Sequence, residues 1–375
     1  MSVMNVGVIG CGNISSAYLQ LAEMFAGYNI TSCADIKPEV AQARAEEYSC
    51  QVQSIEAMLA DPDVGLILNL TVPAAHFEVS SQILKAGKHV YSEKPYVLKL
   101  SEGEALHSLA TRQNLRIGSA PDTFLGGSHQ AARQCVDTGK VGHIIGGSCY
   151  FQSHGMEDWH PDPDFFFQTG GGPVLDMGAY YVSNLVQLIG PVKRVVAMAN
   201  KPSTSRTIGS EPRAGEVIPV EVDTSVRAIL EFQSGAQISF TASWDVWAHE
   251  HNFMELYGSD GTLYVPDPNC FGEEVRYKVG ETETRIAPLE VAGKPNYEDS
   301  RGNMIANYRG IGLADMVAAI HEERPHRCDG TLALHVMEVL TSILHSAEAG
   351  QFVTLTTSCD RPATLDDEAA RRLMA

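Results

Sequence analysis

The apolar run Val3 to Ile9 breaks into the turn GCGNIS at residues 10 to 15 and passes directly into the helix-forming segment AYLQLAEMFAG. Few local patterns constrain a fold more. A strand that ends in spaced glycines and enters a helix at once must turn tightly, and the bare glycine backbone lets an anion approach the helix N-terminus. Gly10, Gly12 and Ser15 fill the GxGxxG/A pattern, with Ser in the third place still small enough for helix-on-strand packing. A second apolar strand, Ile30 to Ala34, ends at Asp35, 20 residues beyond Ser15, where a carboxylate bonds adenosine ribose hydroxyls. Strand, turn, helix, strand and acid in this order predict a dinucleotide site lined by Gly10, Gly12, Asn13, Ile14 and Asp35. Asp35 repels a 2′-phosphate and so favours NAD, while neighbouring Lys37 weakens that preference and keeps NADP admissible.

The alternation continues with helical patterns at 38–48, 55–60, 76–86 and 101–113 and apolar strands at 64–70, 89–92 and 116–119. It predicts an α/β domain with a doubly wound parallel sheet over residues 1–121, in which ligands lie beyond the carboxyl ends of the strands. Two loops leave those ends, TVPAAH at 71–76 and EKPY at 93–96, so Thr71, Pro73, His76, Glu93 and Lys94 are expected to face the cofactor. Beyond Pro121 runs of strands replace the alternation, with patterns at 143–152, 192–199, 220–232, 236–243 and a hairpin pair at 253–257 and 262–265. Residues 122–375 are therefore expected to form an α+β domain around a large open, mostly antiparallel sheet, with late helices at 307–322 and 331–349. Residues 201–219, rich in proline and glycine, read as a surface loop, and the tail from Cys359 as loosely packed.

Composition narrows the partners. Twenty-seven basic against 46 acidic residues give a net charge of -19, which argues against nucleic acid or an anionic membrane surface. The N-terminus carries no basic region or cleavage pattern, and no apolar stretch is long enough to span a bilayer, so the cytoplasm is the expected location. Eight scattered cysteines without a CxxC pair read as free thiols, and no metal site is expected.

After Gly170, Gly171 and Gly172 comes Pro173, well suited to a first helical turn. Along the helix that follows, Asp176, Tyr180, Ser183, Asn184 and Gln187 share one face, opposite Leu175, Val182, Leu185, Val186 and Ile189. A stripe of one carboxylate, a phenol, a hydroxyl and two amides suits a hydroxylated ligand. Tyr181, on the neighbouring face, reads as a packing phenol. The preceding segment HGMEDWHPDPDFFFQT supplies Trp159 and His160, an aromatic face and an imidazole fit for the rim of a sugar site.

These pieces, GVIGCGNIS, Asp35, TVPAAH, AGKHVYSEKPY, GGGPVLDMGAYY and the later ELYGSDGTLYV, resemble the Gfo/Idh/MocA oxidoreductases. The resemblance implies an active site between the two domains, with Lys94, Asp176 and Tyr180 as the catalytic group and a sugar, polyol or related cyclic alcohol as substrate. Tyr180 stands where many inositol and sugar dehydrogenases of the family carry His, which makes it similar to the glucose-fructose oxidoreductase and dihydrodiol dehydrogenase branches. A free phenol is only about 0.1% ionised at pH 7, so as acid and base Tyr180 needs a neighbouring cation, and Lys94 is the expected one. A non-catalytic NAD-dependent sugar sensor, or a closed cycle with a tightly held cofactor, stands as the alternative. An open sheet face is rarely left wet if apolar, so a homo-oligomer, dimer or tetramer, is expected.

Overall fold

The computed structural model describes residues 3–299 and 302–375. Six parallel strands form the first sheet, in the order Gln51–Val52, Tyr28–Ala34, Met4–Ile9, Val64–Asn69, His89–Ser92, Ile117–Ser119. Val6, Val8, Ile9, Leu66, Ile67 and Leu68 are all buried, as expected of strands covered by helices on both faces. The chain starts in the middle of the sheet and grows outward in both directions, so a crevice opens where the order reverses, beside the glycine turn.

The second sheet has nine strands. They run Thr282–Ile286, Val275–Val279, Thr262–Val265, Met254–Gly258, Ile144–Gln152, Gln237–Ser243, Ser225–Phe232, Val192–Asn200, Val353–Thr354. Every pair is antiparallel except Ile144–Gln152 with Gln237–Ser243. The helices Pro173–Ile189 and Gly330–Ala349 pack on one face of this sheet. On the other face Arg227, Ile229, Gln237 and Ser239 meet solvent. The Asp260-Gly261 turn closes a hairpin through Gly258 N–H to Gly261 O, 2.8 Å. No helix among the described residues is long and apolar enough to cross a membrane.

Three expectations are corrected. Residues 201–219 contain a small antiparallel hairpin, Ser205–Thr207 with Val217–Pro219. Its Ile208 and Ile218, with Val220, bury against Met156, Phe167 and Trp244 in a second apolar cluster, so the proline and glycine content conceals a core element. The strand expected from residue 220 begins only at Ser225. The tail from Cys359 is packed, not loose: Leu365, Ala370 and Leu373 are buried, and the helix Asp367–Arg371 is capped by Asp366. The tail reaches back to the first sheet, where Ala26 N–H bonds Leu373 O and Ala375 N–H bonds Met24 O. Arg327 holds the approach by donating to Thr364 O at 2.8 Å. The helix Gly127–Asp137, amphipathic but poor in apolar residues, and the short, charged strands Val275–Val279 and Thr282–Ile286 were not expected from sequence.

Leu373→Ala is expected to destabilise the protein by about 2–5 kcal/mol, the cost of truncating a buried leucine, as measured by denaturant unfolding. A change under about 0.5 kcal/mol would mean that the tail contributes no packing.

Candidate active site

The glycine turn is built for close approach. Gly10 has φ +99°, and a Cβ there would lie 2.6 Å from the Leu70 carbonyl, so only glycine fits. At Gly12 an added Cβ would meet nothing within 4 Å: the turn is open on that side. The helix Ser15–Leu21 has no side-chain cap, and the N–H groups of Gly12, Asn13 and Ile14 take no backbone partner among the described residues. Open amides at a helix start suit a diphosphate. Ser15 Oγ is satisfied by Gly12 O at 2.7 Å, which explains why serine serves in the third place. Cys11 N–H and Lys37 N–H donate to the two oxygens of Asp35 at 2.8 and 2.9 Å, fixing the carboxylate at the strand end. The residues present therefore fit a dinucleotide.

His76 lies behind the two cofactor-side loops. Its Nε2 is 2.8 Å from Thr71 O and its Nδ1 2.7 Å from Pro95 O, and the ring is wholly buried. It ties TVPAAH to EKPY, and burial holds its pKa below the ordinary imidazole value despite those two carbonyls. Thr71 itself is turned by Asn69 Oδ1, which accepts from Thr71 N–H and Oγ1. Thr71 and Pro73 remain partly open. Glu93 is buried: its Oε1 accepts from Tyr18 OH at 2.8 Å and its Oε2 from Lys94 N–H at 2.9 Å.

The loop and the long helix meet at Lys94. Its Nζ donates to Asp176 Oδ1 at 2.7 Å and to Asp176 O at 2.9 Å, and lies 5.2 Å from the centre of the Tyr180 ring. Burial opposes the ammonium, but Asp176, Tyr180 and Glu93 outweigh it and hold Lys94 above the usual lysine range, so it stays charged. Lys94, Asp176 and Tyr180, expected together from the sequence, are together. A fourth member was not expected: Arg309, whose Nη1 is 3.4 Å from the Tyr180 hydroxyl. Arg309 stands just before the helix Ile311–His321, and Asp122 Oδ2 fixes that helix start by accepting from Gly310 N–H at 2.8 Å and Gly312 N–H at 3.1 Å. Burial raises the Asp122 carboxyl above the ordinary range against the pull of Arg309 and those amides. Arg309, Asp122 and Tyr18 belong to no motif, and only the Gly310 that opens a helical pattern marks their neighbourhood in the sequence.

The rest of the polar stripe is internal. Asn184 is wholly buried, donating to His129 Nδ1 at 3.1 Å and accepting from Gln187 Nε2 at 2.9 Å, while His129 Nε2 faces Cys270 O at 2.9 Å. Asn184, expected at the substrate, thus lies in a network beneath the site. Trp159 is exposed and His160 packs edge-on against Trp159, Phe165 and Phe166; neither is bonded to Lys94, Asp176 or Tyr180. Tyr181 is buried and donates to Asp267 Oδ1 at 3.1 Å. All eight cysteines are free thiols, and the described residues include no group of three or more His, Cys, Asp or Glu that could hold a metal.

Residues 4–120 match the profile of an oxidoreductase family with an NAD-binding Rossmann fold, and residues 129–264 match the GFO/IDH/MocA C-terminal domain. An uncharacterized oxidoreductase of Schizosaccharomyces pombe is 28% identical over 48% of this chain, an alignment that spans only 45% of that protein. Inositol 2-dehydrogenase of Rhizobium meliloti is 23% identical over 88% of this chain and 93% of its own length. Among solved structures, levoglucosan dehydrogenase in complex with NADH and L-sorbose superposes with a TM-score of 0.79 at 21% identity, covering 95% of this chain and all of that one.

The network beneath the site predicts acid sensitivity. Burial pushes His129 down to about 4, and His335, which accepts from Val192 N–H at 3.0 Å, down to about 4 as well. Their folded values lie below the unfolded value of about 6.5, so the stability they contribute is complete above that pH and is lost as pH falls toward 4. Each adds a slope of about 1.4 kcal/mol per pH unit in that window. Denaturation midpoints measured between pH 7 and 4.5 should fall accordingly. His129→Gln, which can keep both bonds, should flatten the slope, and an unchanged slope would remove His129 from this account.

Proposed function

We propose that this chain, which belongs to the GFO/IDH/MocA family of NAD-binding oxidoreductases, transfers hydride between a secondary alcohol of a sugar, polyol or related cyclic alcohol and a nicotinamide dinucleotide. The observation that carries the reading is the Lys94–Asp176 pair joined beside the Tyr180 ring, at the loop edge of an NAD-binding domain.

Gly12, Asn13, Ile14 and Asp35 would hold the dinucleotide, with Thr71, Pro73 and Glu93 along the same edge, and His76 keeping their loops in register. When bound, the nicotinamide supplies the hydride acceptor or donor. The chain's own residues handle the oxygen and its proton. Lys94 spends two of its three N–H bonds on Asp176 and keeps one for a substrate oxygen. Asp176 uses Oδ1 for Lys94, leaving Oδ2 as an acceptor. Beside them the Tyr180 hydroxyl both donates and accepts. One donor, one acceptor and one exchanger of protons complement two neighbouring hydroxyls, a pattern that polyols and sugars carry throughout.

In the oxidative direction Tyr180 takes the hydroxyl proton while Lys94 and Asp176 hold the reacting oxygen and its neighbour; in reduction Tyr180 returns the proton. Trp159 and His160 form the outer rim, where an apolar sugar face meets the indole. NAD is preferred over NADP because Asp35 is fixed by two backbone amides at the ribose end. The solvent-facing side of the nine-stranded sheet, with Met198, Ile229 and Tyr257 exposed, is where copies of the chain associate, as a light-scattering mass in solution would report.

Tyr180→Phe is expected to lower kcat by about 10²–10⁴-fold while NAD affinity changes little, as followed by NADH absorbance on a panel of sugars and inositols and by a cofactor-binding titration. Full turnover in this variant would remove Tyr180 as the acid and base. No turnover of the unaltered protein on the panel, with NAD bound, would favour a sensor or a closed redox cycle.

A further inference from the structure

We propose that Arg309, and not Lys94, is the group that stabilises the ionised oxygen of Tyr180, so that the site divides its two cations between two tasks. The inference rests on Tyr180 being the proton acceptor. It starts from where the donors point. Lys94 Nζ makes both of its hydrogen bonds to Asp176 and sits 5.2 Å from the centre of the phenol ring, with no bond to the phenol oxygen. Arg309 Nη1 is the one side-chain donor among the described residues that reaches that oxygen, at 3.4 Å. This is long for a hydrogen bond, as is common before ligands close a site.

The Arg309 side chain makes no other hydrogen bond or ion pair among the described residues, although Tyr180, Glu93, Tyr18 and Asp122 all face it closely enough to outweigh burial and keep it charged. Its neighbours are already committed elsewhere: Glu93 to Tyr18 and Lys94 N–H, and Asp122 to Gly310 N–H and Gly312 N–H. A guanidinium held amid carboxylates that do not bind it keeps its N–H donors available for the phenol oxygen. The anchoring is suited to this. Asp122 pins the helix start on which Arg309 stands, so the guanidinium is placed by backbone bonds from the far side of the chain.

The charged groups around Tyr180 are then Lys94 with Asp176, and Arg309 with Glu93 and Asp122, while the Tyr18 phenol, its pKa pushed up by burial, stays neutral. In oxidation the substrate O–H bond breaks and its proton passes to the Tyr180 oxygen. The carbonyl forms as the C–H pair leaves as hydride to the nicotinamide, so the alcohol is oxidised and NAD reduced. Arg309 lowers the free energy of the phenolate before that transfer, whereas Lys94 meets the charge developing on the substrate oxygen.

The test is a titration of the cofactor-free protein carrying ¹³C at the tyrosine Cζ. The resonance absent from Tyr180→Phe reports Tyr180. In Arg309→Gln its midpoint should rise by about one pH unit or more, Arg309→Lys should recover part of the change, and the rising, acid-side limb of kcat for alcohol oxidation should move up with it in the NAD-loaded enzyme. A folded Arg309→Gln protein with an unmoved midpoint overturns the proposal. If Arg309→Gln does not fold, Arg309→Met decides instead, since it keeps the apolar stem but removes the charge, and an unchanged midpoint then counts against the role. Full turnover of Tyr180→Phe would instead strike the underlying reading, so the two failures are distinct.

Discussion

The ion pair between Lys94 and Asp176 is the interaction on which the site depends, because its partners lie 82 residues apart on different sheets' helices and loops. Each side chain is less than one-fifth exposed, so both charges are largely stripped of water. Such a pair adds little net stability, yet removing one partner costs about 3–5 kcal/mol by stranding the other. Its value is positional. Lys94 grips both the carboxylate and the backbone oxygen of Asp176, and a helix end held at two points cannot swing away from the loop that carries the lysine.

Behind that pair stands a set of polar contacts whose members are each tied by someone else. His76 joins the two loops, Tyr18 holds Glu93, Asp122 holds the start of the Ile311–His321 helix, and His129 holds Asn184 beneath Tyr180. Buried polar groups of this kind are costly if one partner is lost and rigid if all are satisfied. Asp176 and Tyr180 are therefore aimed by neighbours that are themselves held in buried hydrogen bonds.

Much of this was legible in the sequence where the signal is local. The glycine turn, the alternation of strands and helices up to residue 119, and the helix from Pro173 each follow from periodicity and backbone rules that operate within a few residues. Lys94, Asp176 and Tyr180 were readable because two short motifs carry them. Arg309 was not: 129 residues separate it from Tyr180, and no spacing rule links a helix-start arginine to a distant phenol. The polar stripe misled for a related reason. A helical wheel tells which residues share a face but not how far along that face the protein covers them, and Asn184 and Gln187 lie under the helix Gly127–Asp137, whose own sequence is too polar to announce a buried element. In the hairpin near residue 210 and in the tail, proline, glycine and charge hid a few well-spaced apolar side chains that carry the packing.

The returning tail has a bearing on how the chain comes to be folded. Phe25 and Tyr28 stack on each other beside the second strand, and Met374 pairs with Phe25 across a distance of more than three hundred residues in sequence. Apart from the edge strand Ile117–Ser119, which bonds Cys328 and bridges Asp329, the first sheet is made of near neighbours and can assemble as it leaves the ribosome. Its corner at Phe25 cannot be sealed then, because the bridging Met374 follows more than three hundred residues later. The earliest domain to form thus keeps one apolar corner open until residues 365–375 have followed.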